Sequence, residues 1–187
     1  MTPISLGIFA SANQSVPGTS FESIATITPG DGTSNVEFTS IPATYSHLQV
    51  RLIARGSSAD SYFTLQFNGD TASNYSWHQL YGDGSSTGSS GGSSASSIVS
   101  AQFSNVTSSF GAGVIDILDY TSTNKAKTVR LLSGFDSNGS GKIVFRSGGW
   151  YKNTSSVYDA ITSIKLTPVS GTIQNNSHFA LYGIKSA

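Results

Sequence analysis

Cysteine is absent from the 187-residue chain, and charged side chains are scarce. Without cysteine there are no disulfides, no thiolate metal sites and no cysteine nucleophile. Asp, Glu, Lys and Arg make up 11% of the residues and the formal net charge is +0, whereas a typical soluble domain has about 25% charged residues. Such a surface offers no broad electrostatic attraction for nucleic acids or acidic membranes. We therefore expect neither class of partner.

Long apolar runs are also missing. No stretch reaches the roughly 20 apolar residues that a membrane-spanning helix needs. The first charged side chain is Glu22, so the N-terminus does not have the basic segment of a secretory signal. We expect residues 1–20 to form an arm that is ordered or bound to a partner, because they include four large apolar side chains outside the strand pattern: Ile4, Leu6, Ile8 and Phe9.

The chain does contain many segments with the two-residue period of β-strands. In HLQVRLIAR (47–55), Leu48, Val50, Leu52 and Ala54 fall on one face, and polar residues fall on the other. YFTLQFN repeats this pattern with Phe63, Leu65 and Phe67. Such alternation is typical of half-buried strands. NYSWHQLYG also alternates, with Tyr75, Trp77 and Tyr81 on one face and Leu80 among the residues of the other, so that both faces carry large apolar side chains.

About ten such strands are predicted, and no window shows a long helical apolar stripe. Turn sequences separate nearly all of them, including PGDG at 29–32, NGD at 68–70 and DSNGSG at 136–141. This spacing favours an all-β sandwich or barrel with little helix.

The run DGSSTGSSGGSSASS, residues 83–97, contains no large side chain. Gly and Ser bury too little apolar area to offset the entropy of ordering. The strand pattern resumes directly after the run, and the preceding segment is too short to close a sandwich alone. We therefore predict one domain over residues 21–187, in which residues 83–97 form a flexible surface loop rather than a linker.

The residues that carry catalysis or bind metals in other proteins give weak signals here. DSNGSG resembles the start of a calcium loop, but position 147, where a carboxylate is needed, is Ser. The three histidines, His47, His78 and His178, show no metal-binding spacing. Asp116 and Asp119 are three apart on a predicted strand and so point to opposite faces. We expect no enzyme activity, no catalytic residue, no metal and no cofactor, and we expect Asp116 to pair with Arg51 or Arg130.

Aromatic residues are plentiful, with ten Phe, eight Tyr and two Trp. Exposed rings can stack on sugars or anchor a protein interface. The candidates for such a glycan or interface site are Trp77, Tyr81, Trp150 and Tyr151. Packing in the core remains the alternative for Trp77 and Trp150.

Several segments together resemble a known group of proteins. They are FESIATITPGDGTSNVEFTSIPATYSHLQVRLIAR, LQFNGDTASNYSWHQLYGDG, VIDILDYTSTNKAKTVR and the closing HFALYGIKSA. The chain from about Phe21 onward is similar to small jelly-roll virion structural proteins of tailed phages, found in phages of cyanobacteria and other aquatic bacteria. The resemblance implies a component of the virus particle and carries over no catalytic residue.

Two functions are expected from this resemblance. The first is a capsid decoration (cement) protein that binds the major capsid protein at the outer surface of the shell, as a homotrimer, and stabilises the shell. In it the N-terminal arm and aromatic loop ends contact neighbouring subunits. The second is a tail-fibre or receptor-binding module whose loop aromatics recognise a glycan on the host surface.

Overall fold

A computed structural model describes residues 20–58 and 61–185 of the chain. These residues form β-strands and turns without helix, as predicted. The strands are β1 (Phe21–Ile27), β2 (Val36–Phe38), β3 (His47–Ala54), β4 (Ser61–Phe67), β5 (Tyr75–Gly82), β6 (Thr87–Ala95), β7 (Ile98–Phe103), β8 (Gly111–Leu118), β9 (Lys127–Asp136), β10 (Gly141–Trp150), β11 (Asn153–Thr154), β12 (Val157–Tyr158), β13 (Ile164–Pro168) and β14 (His178–Ile184).

Two antiparallel sheets form a β-sandwich. The large sheet has eight strands in the order β1-β14-β3-β8-β9-β10-β5-β6, and the small sheet has four in the order β2-β13-β4-β7. Eight of these strands pair from the outside of the chain inward: β1 pairs with β14, β2 with β13, β3 with β8 and β4 with β7. This nested pairing is that of a jelly roll. The fold class predicted from the sequence is therefore confirmed.

The alternating residues of β3 and β4 form the centre of the core, as the sequence predicts. Leu48, Val50 and Leu52 of β3 face the small sheet and are at most 3% exposed. Phe63 and Phe67 of β4 are fully buried from the other side, and the Phe63 ring packs edge-on against Phe179 of β14. Apolar side chains of the two inner faces thus fill the space between the sheets, the arrangement expected for a sandwich.

The Ser/Gly run was expected to be a flexible loop, and this prediction is wrong for most of it. Residues Thr87–Ala95 form β6, the edge strand of the large sheet, which pairs with β5. Added Cβ atoms at Gly88, Gly91 and Gly92 would lie 2.5–2.8 Å from the side chains of β5 that cross them. A side chain at these three positions of β6 would therefore have to displace the rings of β5.

Four strands, β9, β10, β5 and β6, extend the large sheet beyond the eight strands of the jelly roll. The small sheet ends at β7, which packs against β8, β9 and β10 and only slightly against β5. The inner face of β5 is therefore only partly covered by the small sheet: Tyr75 packs against Phe67 of β4, whereas Trp77 and Tyr81 are half-buried. This difference in sheet width creates the cleft described below.

Candidate functional site: an apolar sheet face and a cleft

A row of exposed apolar side chains crosses the outer face of the large sheet. The strand register places Val114 of β8 opposite Leu132 of β9, Leu132 opposite Phe145 of β10, and Phe145 opposite Leu80 of β5. Their exposed fractions are 37%, 45%, 54% and 64% along this row. Side chains directly opposite on antiparallel strands are in contact range. The four residues therefore form one continuous apolar strip.

A second, parallel row widens this strip. Ile53 of β3 and Ile143 of β10 are 54% and 51% exposed. They lie on the same face of the sheet, two residues along their strands from the first row. We call the six residues the outer apolar face: Ile53, Leu80, Val114, Leu132, Ile143 and Phe145. Soluble monomers rarely expose large contiguous apolar patches, and such patches commonly mark protein contact sites. The outer apolar face is thus a candidate interaction surface.

The outer apolar face is bordered by a polar row on the same strands. Asp116 accepts hydrogen bonds from Gln49 Nε2 at 2.8 Å and from Arg130 Nη2 at 3.4 Å. The predicted pairing of Asp116 with Arg130 is therefore confirmed, whereas Arg51 donates instead to Gln49 Oε1. Apolar and polar residues are segregated into rows, so the surface has a defined boundary of the kind seen around interface cores.

A cleft of about 220 Å³ lies on the opposite, inner face of the large sheet, beside the edge of the small sheet. The residues that line it come from β4, β5, β7 and β10: Tyr62, Trp77, Gln79, Tyr81, Val99, Gln102, Lys142, Val144 and Arg146. We call this site the cleft. Its lining combines aromatic rings, amides and cations, and the described residues that line it include no carboxylate.

Arg146 forms the polar end of the cleft and is only 5% exposed. Its Nε donates to Gln79 Oε1 at 2.8 Å, Nη1 donates to the Ser100 carbonyl, and Nη2 donates to Gln102 Oε1 at 3.3 Å. Burial lowers the pKa of Arg146 to about 10, so the guanidinium is still charged at neutral pH. Among the described residues no carboxylate forms an ion pair with it.

The rings of the cleft are held by neighbouring strands. Tyr62 lies with its ring centre 5.6 Å from the Arg146 guanidinium carbon, a cation–π distance. Trp77 and Tyr81, both half-buried, cross Gly92 and Gly88 of β6. Tyr81 is also 5.2 Å from Lys142 Nζ, measured to the ring centre. The aromatic rings and the two cations of the cleft therefore all belong to residues of β-strands and not of loops.

The structure separates the four aromatic residues that were predicted as one site. Trp77 and Tyr81 line the cleft. Tyr151 is 52% exposed outside it, and its hydroxyl accepts from Ser76 Oγ at 3.4 Å. Trp150 is 1% exposed and therefore has no face available for a ligand. The core alternative holds for Trp150, and the prediction that it contributes to a glycan site is corrected.

Trp150 is instead part of a buried polar and aromatic network. Its Nε1 donates to Asp70 Oδ2 at 2.7 Å, and its ring stacks with Tyr75. Asp70 also accepts from Asn74 Nδ2 at 2.9 Å and from the Ala72 amide at 3.1 Å. The Tyr75 hydroxyl donates to the Asp70 carbonyl at 3.0 Å. This network fixes the turn between β4 and β5.

The remaining sequence candidates do not converge on one site. The apolar residues predicted as a partner-binding arm, Ile4, Leu6, Ile8 and Phe9, lie outside the described residues. Within residues 20–58 and 61–185, no group of three or more His, Asp or Glu side chains is placed to hold a metal ion. In the same part of the chain, no helix is long and apolar enough to cross a membrane.

The sequence did not reveal Arg146, Gln79 or Gln102 as site residues. A signal was nevertheless present in KIVFRS (142–147), where Lys142, Val144 and Arg146 alternate with Ile143 and Phe145, so that one face of β10 is apolar and the other carries two cations beside a valine. The sequence does not show that Lys142, Val144 and Arg146 line a cleft while Ile143 and Phe145 are exposed on the opposite face; this follows from how β10 packs in the sheet.

The outer apolar face and the cleft thus differ in the ligands they suit. The former suits contact with a protein surface, and the latter suits a small polar molecule with an apolar side. Comparison with known proteins assigns neither surface, because no family model matches the chain and no curated protein is similar to it in sequence.

Proposed function

We propose that the protein is a structural component of a phage particle, a decoration protein that binds the outer surface of the capsid and stabilises the shell. The outer apolar face is the observation that carries this proposal. Six large apolar side chains are exposed together on a regular sheet, and burying them against another protein would contribute about 25 cal/mol for each Å² removed from water. The occupant we propose for this face is the major capsid protein.

The rest of the molecule supports the same function. Its charge-poor composition avoids repulsion between many identical copies packed side by side. Jelly rolls are common in viral capsids, and the sequence segments that resemble phage virion proteins extend over most strands of the sandwich. In this proposal the protein acts as a homotrimer, and the N-terminal arm of each copy holds a neighbouring capsid subunit.

The first experiment measures how many copies of the protein each particle carries. Quantitative mass spectrometry of purified particles compares the protein with the major capsid protein. A decoration protein gives a ratio within a small integer factor of the capsid lattice. A ratio lower by orders of magnitude places the protein on the tail or at a unique vertex, and this would contradict the proposal.

The second experiment tests the outer apolar face directly. The double variant Leu132→Ser, Phe145→Ser removes the centre of the face, and we expect it to lose binding to particles stripped of the protein. Val169→Ser is the matched control, because Val169 is 50% exposed and lies outside this face, directly after β13. Binding by the double variant that equals binding by the control would exclude the outer apolar face as the capsid contact.

A second candidate function is a receptor-binding module that recognises host glycan, and the cleft favours it. Sugar sites commonly pair aromatic rings, on which the sugar stacks, with planar polar side chains that bind its hydroxyls. The cleft brings Trp77 and Tyr81 together with Gln79. A glycan array tests this function. Array binding that is lost in Trp77→Leu but kept in Tyr151→Leu would support it, and a negative array for the wild type would reject it.

A further inference from the structure

The cleft contains a buried positive charge whose hydrogen bonds are all made to neutral groups. A guanidinium has five N–H donors. In Arg146 each of the three nitrogens donates one N–H, to an oxygen of Gln79, Ser100 or Gln102. This leaves one N–H on each terminal nitrogen without an acceptor among the described residues. A bidentate carboxylate takes two N–H donors.

Burying a guanidinium without an opposite charge is unfavourable. Arg146 retains its charge at neutral pH, and among the described residues that line the cleft the other charged side chain is also a cation, Lys142. Solvent cannot compensate fully, because Arg146 is only 5% exposed. A ligand that brings a negative charge to Arg146 would therefore relieve a cost that the free protein carries.

The remainder of the lining indicates what the rest of such a ligand is. Trp77 and Tyr81 offer apolar ring faces, which suit the C–H face of a pyranose ring. The Gln79 amide is held at both ends, since its Oε1 accepts from Arg146 and its Nε2 donates to Ser90 Oγ at 2.7 Å. Its neighbour across the cleft, Gln102, is 2% exposed. The polar groups are thus fixed before a ligand arrives, which lowers the entropic cost of binding.

We propose that the cleft binds a saccharide carrying a carboxylate, a uronic-acid type of sugar, with the carboxylate at Arg146 and the ring against Trp77 and Tyr81. This inference rests on the second candidate function and names its ligand class. A cleft of about 220 Å³ accommodates one sugar ring rather than a long chain. The site therefore recognises a terminal or projecting acidic sugar.

The test compares a trimer of galacturonic acid with the same trimer methyl-esterified at its carboxyl groups, which removes the negative charge and adds one methyl group to each sugar. Binding is measured by titration calorimetry and by tryptophan fluorescence. Of the two tryptophans, Trp77 lines the cleft and Trp150 is buried, so a change in fluorescence on binding is expected to come from Trp77. We expect the acid to bind at least about tenfold more tightly than the ester, the range for a hydrogen bond to a charged group.

Two variants locate the binding site. Arg146→Lys keeps the charge but loses the planar fork, and we expect it to lose most of the preference for the acid. Arg130→Gln removes an exposed cation on the outer face, where the Arg130 side chain is 72% exposed, and we expect it to bind as the wild type does. Because Arg146→Lys alters a buried residue, Trp77→Leu provides a second variant, in which both probes bind more weakly.

Each outcome separates the inference from the function beneath it. Equal binding of acid and ester overturns the acidic ligand class and leaves glycan recognition in place. A preference for the acid that Arg130→Gln loses and Arg146→Lys keeps overturns the assignment to the cleft. No binding of either probe overturns the inference; if the glycan array is also negative, the second candidate function fails with it, while the capsid decoration proposal stands.

Discussion

Asp70 is the buried carboxylate that organises the aromatic end of the core. It is 7% exposed and accepts three hydrogen bonds, from the Trp150 indole, the Asn74 amide and the Ala72 backbone. Burial by itself would raise the pKa of this carboxyl, but the three hydrogen bonds and the charge of Lys152 outweigh burial and hold the pKa below its usual value. The ionised form is therefore part of the folded structure.

The first prediction concerns acid stability. Because the pKa of Asp70 is lower in the folded than in the unfolded chain, its contribution is fully present above about pH 4 and is lost as the pH falls through the folded value. We expect Asp70→Asn to lower the free energy of unfolding by about 2 kcal/mol at pH 7. We also expect the loss to shrink below pH 4. Urea denaturation between pH 7 and pH 2.5 measures both.

Asp136→Asn is the control for this prediction. Asp136 is an exposed carboxylate whose Oδ1 accepts from the Gly139 amide in a surface turn. Its replacement should change the free energy of unfolding by no more than about 0.5 kcal/mol. If Asp70→Asn were as stable as this control at neutral pH, the network around Trp150 would contribute nothing to folding.

At the scale of single elements, some strands are readable from the sequence and others are not. β3 and β4 follow from alternation because one of their faces meets the core, and their apolar residues are buried as predicted. β6 shows no such alternation, because its glycines fit the space left by the rings of β5 and none of its side chains is apolar and buried. The outer apolar face was also missed, since its six residues come from five different strands.

The second prediction tests β6 as a strand. Its backbone pairs with β5 from Thr87 to Gly92, so we expect its hydrogen-bonded amides to exchange with solvent at least about tenfold more slowly than those of the turn at 83–86. Hydrogen exchange followed by mass spectrometry measures this. Exchange of residues 87–95 as fast as in the turn would restore the loop interpretation.

The third prediction tests why β6 contains glycine. A Cβ at Gly92 would lie 2.8 Å from Trp77 Nε1, closer than van der Waals contact allows, so Gly92→Ala must displace the indole. We expect Gly92→Ala to shift the Trp77 fluorescence and to destabilise the protein by about 1 kcal/mol. Ser93→Ala is the matched control on the adjacent residue, which is exposed. Equal spectra for the two variants would contradict this role of glycine.

Across the whole molecule, the jelly roll joins segments that are far apart in the chain. β1 pairs with β14, so that Phe21 lies opposite Ile184. β14 is also an interior strand of the large sheet, between β1 and β3. To form such long-range pairs, the chain loses the entropy of closing large loops before the contacts that offset this loss exist, which slows folding. We expect refolding from urea on the scale of milliseconds to seconds, measured by stopped-flow fluorescence; completion within about a hundred microseconds would contradict it.

The two ends of the chain should differ in what their removal does. Residues 178–187 include β14, whose loss would open the large sheet between β1 and β3, so we expect a chain truncated before residue 178 to be unfolded by circular dichroism. Residues 2–19 lie outside the described residues, and the strands of both described sheets begin at Phe21. We expect their deletion to leave the β-sheet spectrum unchanged and the melting temperature within about 3 °C of the wild type.

The deletion of residues 2–19 also tests the proposed decoration function, because that function assigns these residues to capsid binding. We expect the folded deletion variant to lose binding to stripped particles while Val169→Ser binds normally. Folded protein that still binds would remove the arm from the mechanism and leave the outer apolar face as the contact. A deletion variant that melts well below the wild type would instead show that the arm packs against its own domain. The melting curve therefore has to be measured before the binding assay is interpreted, since only a stable variant assigns the loss of binding to the arm.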